Sequence, residues 1–371
     1  MVVAWLALTF GQVLVVPRAE GQVPAAGAVV QSAGTLVQTK VHSSALEGNL
    51  LGDSPERNVT IYLPPGYAAT SKRYPVVYLL HGYMGTNADW TNGDWANVPK
   101  ILDRLMAAGK IQEMIVVMPD GSNKFLGGFY TNSATTGNWE DFVAQDLVKY
   151  VDEQYRTVAR ASSRGIAGHS MGGYGSLKLG MKHPEIFGAI YGLSACCMEW
   201  GVDLSPANPG WDKTLDFRGA DDFVAAHKFL DSLKSDQEQF FVAFFPLVFT
   251  AMSVAWSPDP ERPPFFADFP VEGRGASRKP VEAVQAQWSA NLIVPMTSQY
   301  RSNLRRLRGM AFDVGEQDEN AHIFAGARNF DKLLSQNKIS HEFEIYQGNH
   351  GNKIGERLEA KVFPFFSRVL Q

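Results

Sequence analysis

Two hydrophobic rhythms alternate along most of this chain. Runs of consecutive apolar residues, Pro75–Leu80 (PVVYLL) and Met114–Met118 (MIVVM), have the make-up of strands buried on both faces. Elsewhere apolar positions recur three and four apart. Phe142, Val143, Leu147, Tyr150 and Val151 form such a stripe within Trp139–Tyr155 and predict a helix. The same reading gives strands at Thr35–Val41, Asn58–Leu63, Gly165–Gly168, Phe187–Leu193, Met310–Val314 and Glu342–Tyr346. It gives helices at Trp95–Ala107, Gly172–Lys182, Asn320–Gln336 and Glu356–Val369. Strands alternating with helices imply right-handed crossovers and a mostly parallel, doubly wound sheet of the α/β class, covered on both sides.

The rhythm breaks between about Glu199 and Gln299. This stretch holds no clear buried strand. It carries a very apolar run, Phe240–Trp256 (FFVAFFPLVFTAMSVAW), a Pro-rich segment, Ser257–Pro270, and a helical pattern at Val281–Ala290. Pro246 interrupts the apolar run, which is at the lower edge of membrane-span length. A span here would cut a sheet in two, so the expectation is a helical cap inserted over the sheet, with no stable membrane span.

The amino end reads differently. Val2–Val16 is almost wholly apolar, and Ala19 and Gly21 supply the small residues of a cleavage site before Gln22. Residues 1–21 are therefore expected to be a signal peptide, although no Lys or Arg precedes the apolar run. Residues 22–34 read as a flexible leader, and 35–371 as the folded domain. The implied location is secreted or periplasmic, with the cytoplasm as the alternative.

Composition narrows the class. Of 371 residues, 45% are hydrophobic and 19% charged, which excludes disorder for most of the chain. The net charge of −4 gives no basic face for a nucleic-acid partner. Cys196 and Cys197 are adjacent, so an ordinary bridge between them is geometrically poor, and they read as small core residues. No His or Cys cluster has zinc-type spacing, so no metal and no cofactor is expected.

The chemistry sits at Gly168-His169-Ser170-Met171-Gly172, a G-x-S-x-G between a strand (RGIA) and a helix (SLKLGMKH). A nucleophile elbow turns so sharply that the residues two before and two after the serine must be tiny. A serine hydroxyl needs a base. Of eight histidines, His350 lies in Gly348-Asn349-His350-Gly351, just past the last strand, where the chain order Ser, acid, His puts it. His322, early in a predicted helix, is the runner-up, and His169 is read as the variable position of the motif. The orienting acid is Asp318, in the loop after Met310–Val314, with Asp313, Glu316 and Glu319 as rivals. The expected oxyanion donors are the backbone N–H groups of Met171, after the nucleophile, and Tyr83, in Leu80-His81-Gly82-Tyr83-Met84-Gly85.

Together YLLHGYMG, IVVMPDG, FYTNSATTGNWEDFVAQDLVKYVDEQYRT, GIAGHSMGGYGSL, DVGEQDEN and YQGNHG resemble the esterase D family of α/β-hydrolases. That group includes feruloyl and other carboxylesterases, S-formylglutathione hydrolase, enterochelin esterase-like proteins and mycolyl transferases. The resemblance covers roughly residues 50–195 and 305–370. It implies an α/β-hydrolase fold, with Ser170, Asp318 and His350 as nucleophile, acid and base and Tyr83 and Met171 as oxyanion donors. The segment holding Tyr130 and Asn132 resembles the family's loop lining the substrate site, and Trp90 and Trp139 are aromatics expected near the same cleft. The 199–299 insertion departs from the family pattern and leaves the substrate open.

The expected activity is hydrolysis of carboxylic esters through an acyl-enzyme. The substrate is expected to be a small-molecule, glycan or lipid ester. Acyl transfer to a sugar or lipid hydroxyl is the alternative, and a non-catalytic binding protein on the same scaffold is the reading furthest from the motifs.

Overall fold

The computed structural model describes residues 33–371 apart from 92, 94 and 234–236. The expected signal peptide, and the leader up to residue 32, lie outside the described residues. Eight strands form the central sheet: β1 Thr35–His42, β2 Glu56–Leu63, β3 Val76–Leu80, β4 Ile115–Pro119, β5 Arg164–His169, β6 Ala189–Leu193, β7 Gly309–Gly315 and β8 Glu342–Tyr346. Their spatial order is β1-β2-β4-β3-β5-β6-β7-β8. β2 runs antiparallel to β1 and β4, and every other pairing is parallel.

The unbroken apolar runs have a direct cause. Successive side chains of a strand point to opposite faces, so a strand covered on both sides needs apolar residues at every position. In β3, Val76, Tyr78 and Leu80 face one core, while Val77 and Leu79 face the other. The second core is filled by helix α1, Val98–Ala107, through Ile101, Leu102 and Leu105, and by the C-terminal helical segment through Leu358, Val362 and Phe366. The first core takes α2, in which Trp139–Asp141, Phe142–Leu147 and Val148–Gln154 run on as one helix with wide π-type turns in its middle. It also takes α3, Met171–Lys182.

Observed ends differ from the sequence reading by local chemistry. The helix expected from Trp95 starts at Val98, because Asn97 caps it by accepting the Lys100 N–H at 3.2 Å and Pro99 suits the first turn. Trp95 is left in the preceding loop. Phe187 precedes β6 rather than belonging to it, and packs edge-on against Tyr78 with ring centroids 5.7 Å apart.

The insertion is helical. It contains α4, Ala220–Ser232, and α5, Gln237–Trp256, together with shorter turns and the helix Glu282–Ser289. Pro246 does not break α5. The helix runs through the proline although Pro246 has no N–H for the Val242 carbonyl four residues earlier. The Pro246 carbonyl in turn accepts the Thr250 hydroxyl at 2.9 Å. An 18-residue window of α5 is apolar enough to cross a membrane by length and composition, yet 61% of that window is buried inside the domain. Its C-terminal half shares the first core, where Phe249 stacks on Trp211 at 3.9 Å and the Val254 carbonyl accepts the Ser133 hydroxyl at 2.6 Å. The inserted segment is thus continuous with the core of the sheet. Behind it, α6, Ala321–Gln336, follows β7.

Candidate active site

β5 passes into α3 through Ser170, whose φ of 55° and ψ of −115° are unusual for a residue with a side chain. The turn is tight enough to exclude Cβ atoms on both sides. A Cβ on Gly168 would meet the Gly172 backbone at 2.4 Å, and one on Gly172 would meet the Leu80 carbonyl oxygen at 2.0 Å. The glycines of the motif are therefore steric requirements, as their spacing suggests.

The loops beyond β7 and β8 are zipped together by backbone hydrogen bonds. The Glu316 N–H reaches the Tyr346 carbonyl and the Gln317 N–H reaches the Gly348 carbonyl, both at 2.9 Å. This brings Asp318 and His350 side by side. His350 Nδ1 lies 2.7 Å from Asp318 Oδ2, and His350 Nε2 lies 2.9 Å from Ser170 Oγ. The Asp318 side chain is fully buried, and its Oδ1 accepts the Asn320 N–H at 3.0 Å. The three rival acids lie elsewhere. Asp313 is buried in β7 with Arg357, Glu316 bonds Gln347, and Glu319 accepts the His350 backbone N–H at 3.1 Å.

His169, read from sequence as a variable position, is part of the same assembly. Its Nε2 is 2.7 Å from the His350 carbonyl oxygen, and Trp95 packs edge-on against its ring at 5.5 Å. Burial, with a smaller contribution from the His350 charge, pushes its pKa down to about 3. A neutral imidazole can carry its proton on Nε2 and donate it to that carbonyl.

The loop after β3 closes on the serine from the other side. A Cβ on Gly82 would lie 3.5 Å from Ser170 Cβ. His81 holds this loop: its Nδ1 is 2.7 Å from the Gly82 carbonyl, and its Nε2 accepts the Gly121 N–H at 2.7 Å. Burial lowers the His81 pKa, which keeps the ring neutral as that pairing requires. Tyr83 follows Gly82, and Met171 opens α3, where a first-turn N–H has no acceptor within the helix.

These groups open into a cleft of about 820 Å³. One wall is aromatic. Tyr83 stacks on Phe129 with centroids 5.8 Å apart and meets Phe244 of α5 at 5.9 Å, and Phe244 stacks on Phe240 at 5.8 Å. The lining also carries polar groups from the two strand-end loops, among them Glu319, Asn320, Asn349 and Asn352. Cys196 and Cys197 are buried free thiols at its floor.

Four residues expected at the cleft do not line it. Trp90 is completely buried behind Trp95, 5.2 Å away. Tyr130 is buried beneath the β3 loop, where its hydroxyl donates to the His81 carbonyl at 3.1 Å. Trp139 is buried at the start of α2 with its indole N–H on the Thr136 carbonyl. Asn132 faces solvent and accepts the Asp141 N–H. The lining positions are instead their neighbours, Trp95 and Phe129. An aromatic in a sequence gives no sign of which side of a loop it fills, so nothing in the composition separated the two sets.

The profile of the family described as "Putative esterase" matches residues 54–354. An esterase of Mycobacterium tuberculosis is 36% identical over 129 residues, which is 34% of this chain and 26% of that protein. An endo-1,4-beta-xylanase/feruloyl esterase of Xylanibacter ruminicola is 35% identical over 137 residues, 36% of this chain and 18% of that protein. The matched stretch thus spans about a quarter or less of these two relatives. Among solved structures, a ferulic acid esterase has a TM-score of 0.60 at 22% identity, covering 91% of this chain and 98% of its own. An S-formylglutathione hydrolase from Staphylococcus aureus has a TM-score of 0.55 at 15% identity, covering 91% and 100%. At such identities the structures speak to the fold, which is that of the α/β-hydrolases. The family match extends over most of the sequence and includes the elbow and both strand-end loops: the chain belongs to this esterase family.

Proposed function

We propose that the chain is a carboxylic ester hydrolase working through an acyl-enzyme on Ser170. The observation that carries this is the unbroken relay from Ser170 Oγ through His350 to Asp318, at 2.9 and 2.7 Å, placed on a glycine-bounded elbow. A carboxylate accepts only, so Asp318 fixes the proton on His350 Nδ1 and leaves Nε2 to accept the serine proton. Ser170 Oγ then bonds to the ester carbonyl carbon as its proton passes to Nε2. The carbonyl oxygen becomes an oxyanion between the Tyr83 and Met171 N–H groups. Collapse breaks the bond to the alcohol oxygen, which takes the proton from Nε2. Water repeats the sequence on the acyl-enzyme and releases the acid.

The aromatic wall starts at Tyr83, beside the carbonyl, and suits an apolar acyl group. Ser170→Ala should abolish p-nitrophenyl acetate turnover and labelling by a fluorophosphonate, and unchanged turnover would refute the serine mechanism. A second reading, transfer of the acyl group to an acceptor hydroxyl, is favoured by the same apolar lining, which disfavours water. Product analysis with an added alcohol separates the two.

A further inference from the structure

A second histidine–aspartate pair faces the cleft. His322 stands in the first turn of α6, four residues after Asp318, and is 6% exposed. Its Nδ1 is 3.0 Å from Asp203 Oδ2, and the same oxygen accepts the His322 backbone N–H at 3.0 Å. Asp203 belongs to the insertion, in the short turn Val202–Leu204. Burial raises its carboxyl, but the hydrogen bonds from the His322 ring and backbone outweigh burial and hold it below the usual carboxylate range. As a carboxylate it accepts only, so the His322 proton sits on Nδ1 and Nε2 keeps a free lone pair. Among the described residues Nε2 has no hydrogen-bond partner in the protein, while His322 lines the cleft together with Ser170 and His350.

The pair is built by close fit. A Cβ on Gly201 would lie 2.4 Å from His322 Cβ, so the inserted turn is seated on the histidine and only glycine lets Asp203 reach it. The pair is 119 residues apart in sequence. A buried imidazole with one edge fixed and the other turned to a cavity is an oriented acceptor for an O–H group.

Its position identifies which part of the substrate it meets. His350 Nε2 must reach the departing oxygen, so the alcohol lies on the His350 side of the cleft. The loops of Asp318 and His350 and the start of α6 contribute Asn320, His322, Asn349 and Asn352 to the cleft lining together with His350. The aromatic wall is built on Tyr83, which follows Gly82 in the β3 loop, with Phe129 and Phe244 against it. We propose that His322, oriented by Asp203, binds a hydroxyl of the alcohol moiety, so that the preferred substrates join an apolar acyl group to a polyol. This rests on Ser170 acting as the nucleophile.

The test uses two esters with one acyl group, 1-butyrylglycerol and ethyl butyrate, and the full chain. His322→Ala should raise KM for 1-butyrylglycerol about tenfold, the effect of losing one buried hydrogen bond, while ethyl butyrate is hydrolysed within about twofold of the parent. Asp203→Asn, which keeps the shape but not the proton placement, should show the same ester-selective loss, and His322→Gln should recover part of it. Equal losses on both esters, or none on either, would overturn the assignment. The Ser170→Ala control keeps the two readings apart. Loss of both activities in that variant, with no ester-selective effect at His322, sinks this proposal alone, whereas retained activity sinks the serine mechanism and this proposal with it.

Discussion

His169 Nε2 lies 2.7 Å from the carbonyl oxygen of His350, and the two imidazole centroids are 4.7 Å apart. The residue before Ser170 therefore holds the loop that carries His350. Without this contact, the His350 loop keeps its bonds to Asp318 and Glu319 and its ring on Ser170, but loses its backbone anchor on the elbow. His169→Ala should lower kcat by about 10- to 100-fold with little change in KM, the scale expected for a misplacement of an ångström or less. His169→Gln, whose amide can still donate, should restore most of the loss. Fluorophosphonate labelling rates should follow kcat, and unchanged rates in His169→Ala would refute the role.

The same histidine makes stability depend on pH. Its pKa falls from 6.5 to about 3 on folding, chiefly through burial, and His81 is lowered by burial as well. Between about pH 6.5 and 3 the unfolded chain binds a proton on the His169 ring and the folded chain does not. The stability His169 provides is full above pH 6.5 and is lost as the pH falls towards 3. That ring adds a slope approaching about 1.4 kcal/mol per pH unit, and His81 adds to it in the same direction. Urea midpoints between pH 6.5 and 5 should show it, and His169→Gln should have a slope shallower by that amount. Identical slopes for the two proteins would contradict the assignment.

What the sequence made legible was what sterics and strand geometry force. Buried strands announce themselves because both faces need apolar residues, and Gly168 and Gly172 announce the elbow because no Cβ fits there. Asp318 and His350 could be matched because each follows a strand of a parallel sheet, where loops converge at one edge. Contacts without local signature stayed hidden. Nothing near His322 points to Asp203, and nothing distinguishes buried Trp139 or Tyr130 from cleft-lining Phe129. Pro246 interrupts the apolar run in sequence, yet α5 continues through it while its C-terminal half packs in the core, which is a tertiary fact.

The half-buried phenylalanines of α5 should set acyl-chain preference. Phe240 and Phe244 line the cleft, whereas Leu247, Phe249 and Val254 anchor the helix in the core. Excising the whole inserted helix would therefore remove core as well as lining, and point changes are the informative ones. Phe244→Ala should reduce kcat/KM for p-nitrophenyl octanoate about tenfold, consistent with about 1.5 kcal/mol of lost apolar contact. Turnover of the acetate should change less than about twofold. A uniform effect across chain lengths would remove α5 from the acyl site.

Two aspartates five residues apart, Asp313 and Asp318, should separate stability from catalysis. Asp313 Oδ2 accepts Arg357 Nε at 2.9 Å and Nη2 at 2.7 Å as well as the Tyr191 hydroxyl at 2.8 Å, all buried beneath the sheet edge. Burial raises its carboxyl and Arg357 opposes that shift. Asp313→Asn leaves a buried guanidinium with only Glu344, which is 40% exposed, as a carboxylate partner. It should destabilise the fold by about 3 kcal/mol, while kcat per folded molecule stays near the parent value. Asp318→Asn keeps the shape of the side chain but presents a donor or a neutral acceptor to His350 Nδ1, which favours the wrong tautomer. It should cost about 10⁴-fold in kcat with a much smaller loss of stability. Urea denaturation and p-nitrophenyl acetate kinetics on both variants decide the matter, and an Asp313→Asn protein as inactive as Asp318→Asn, yet fully stable, would exchange the two roles.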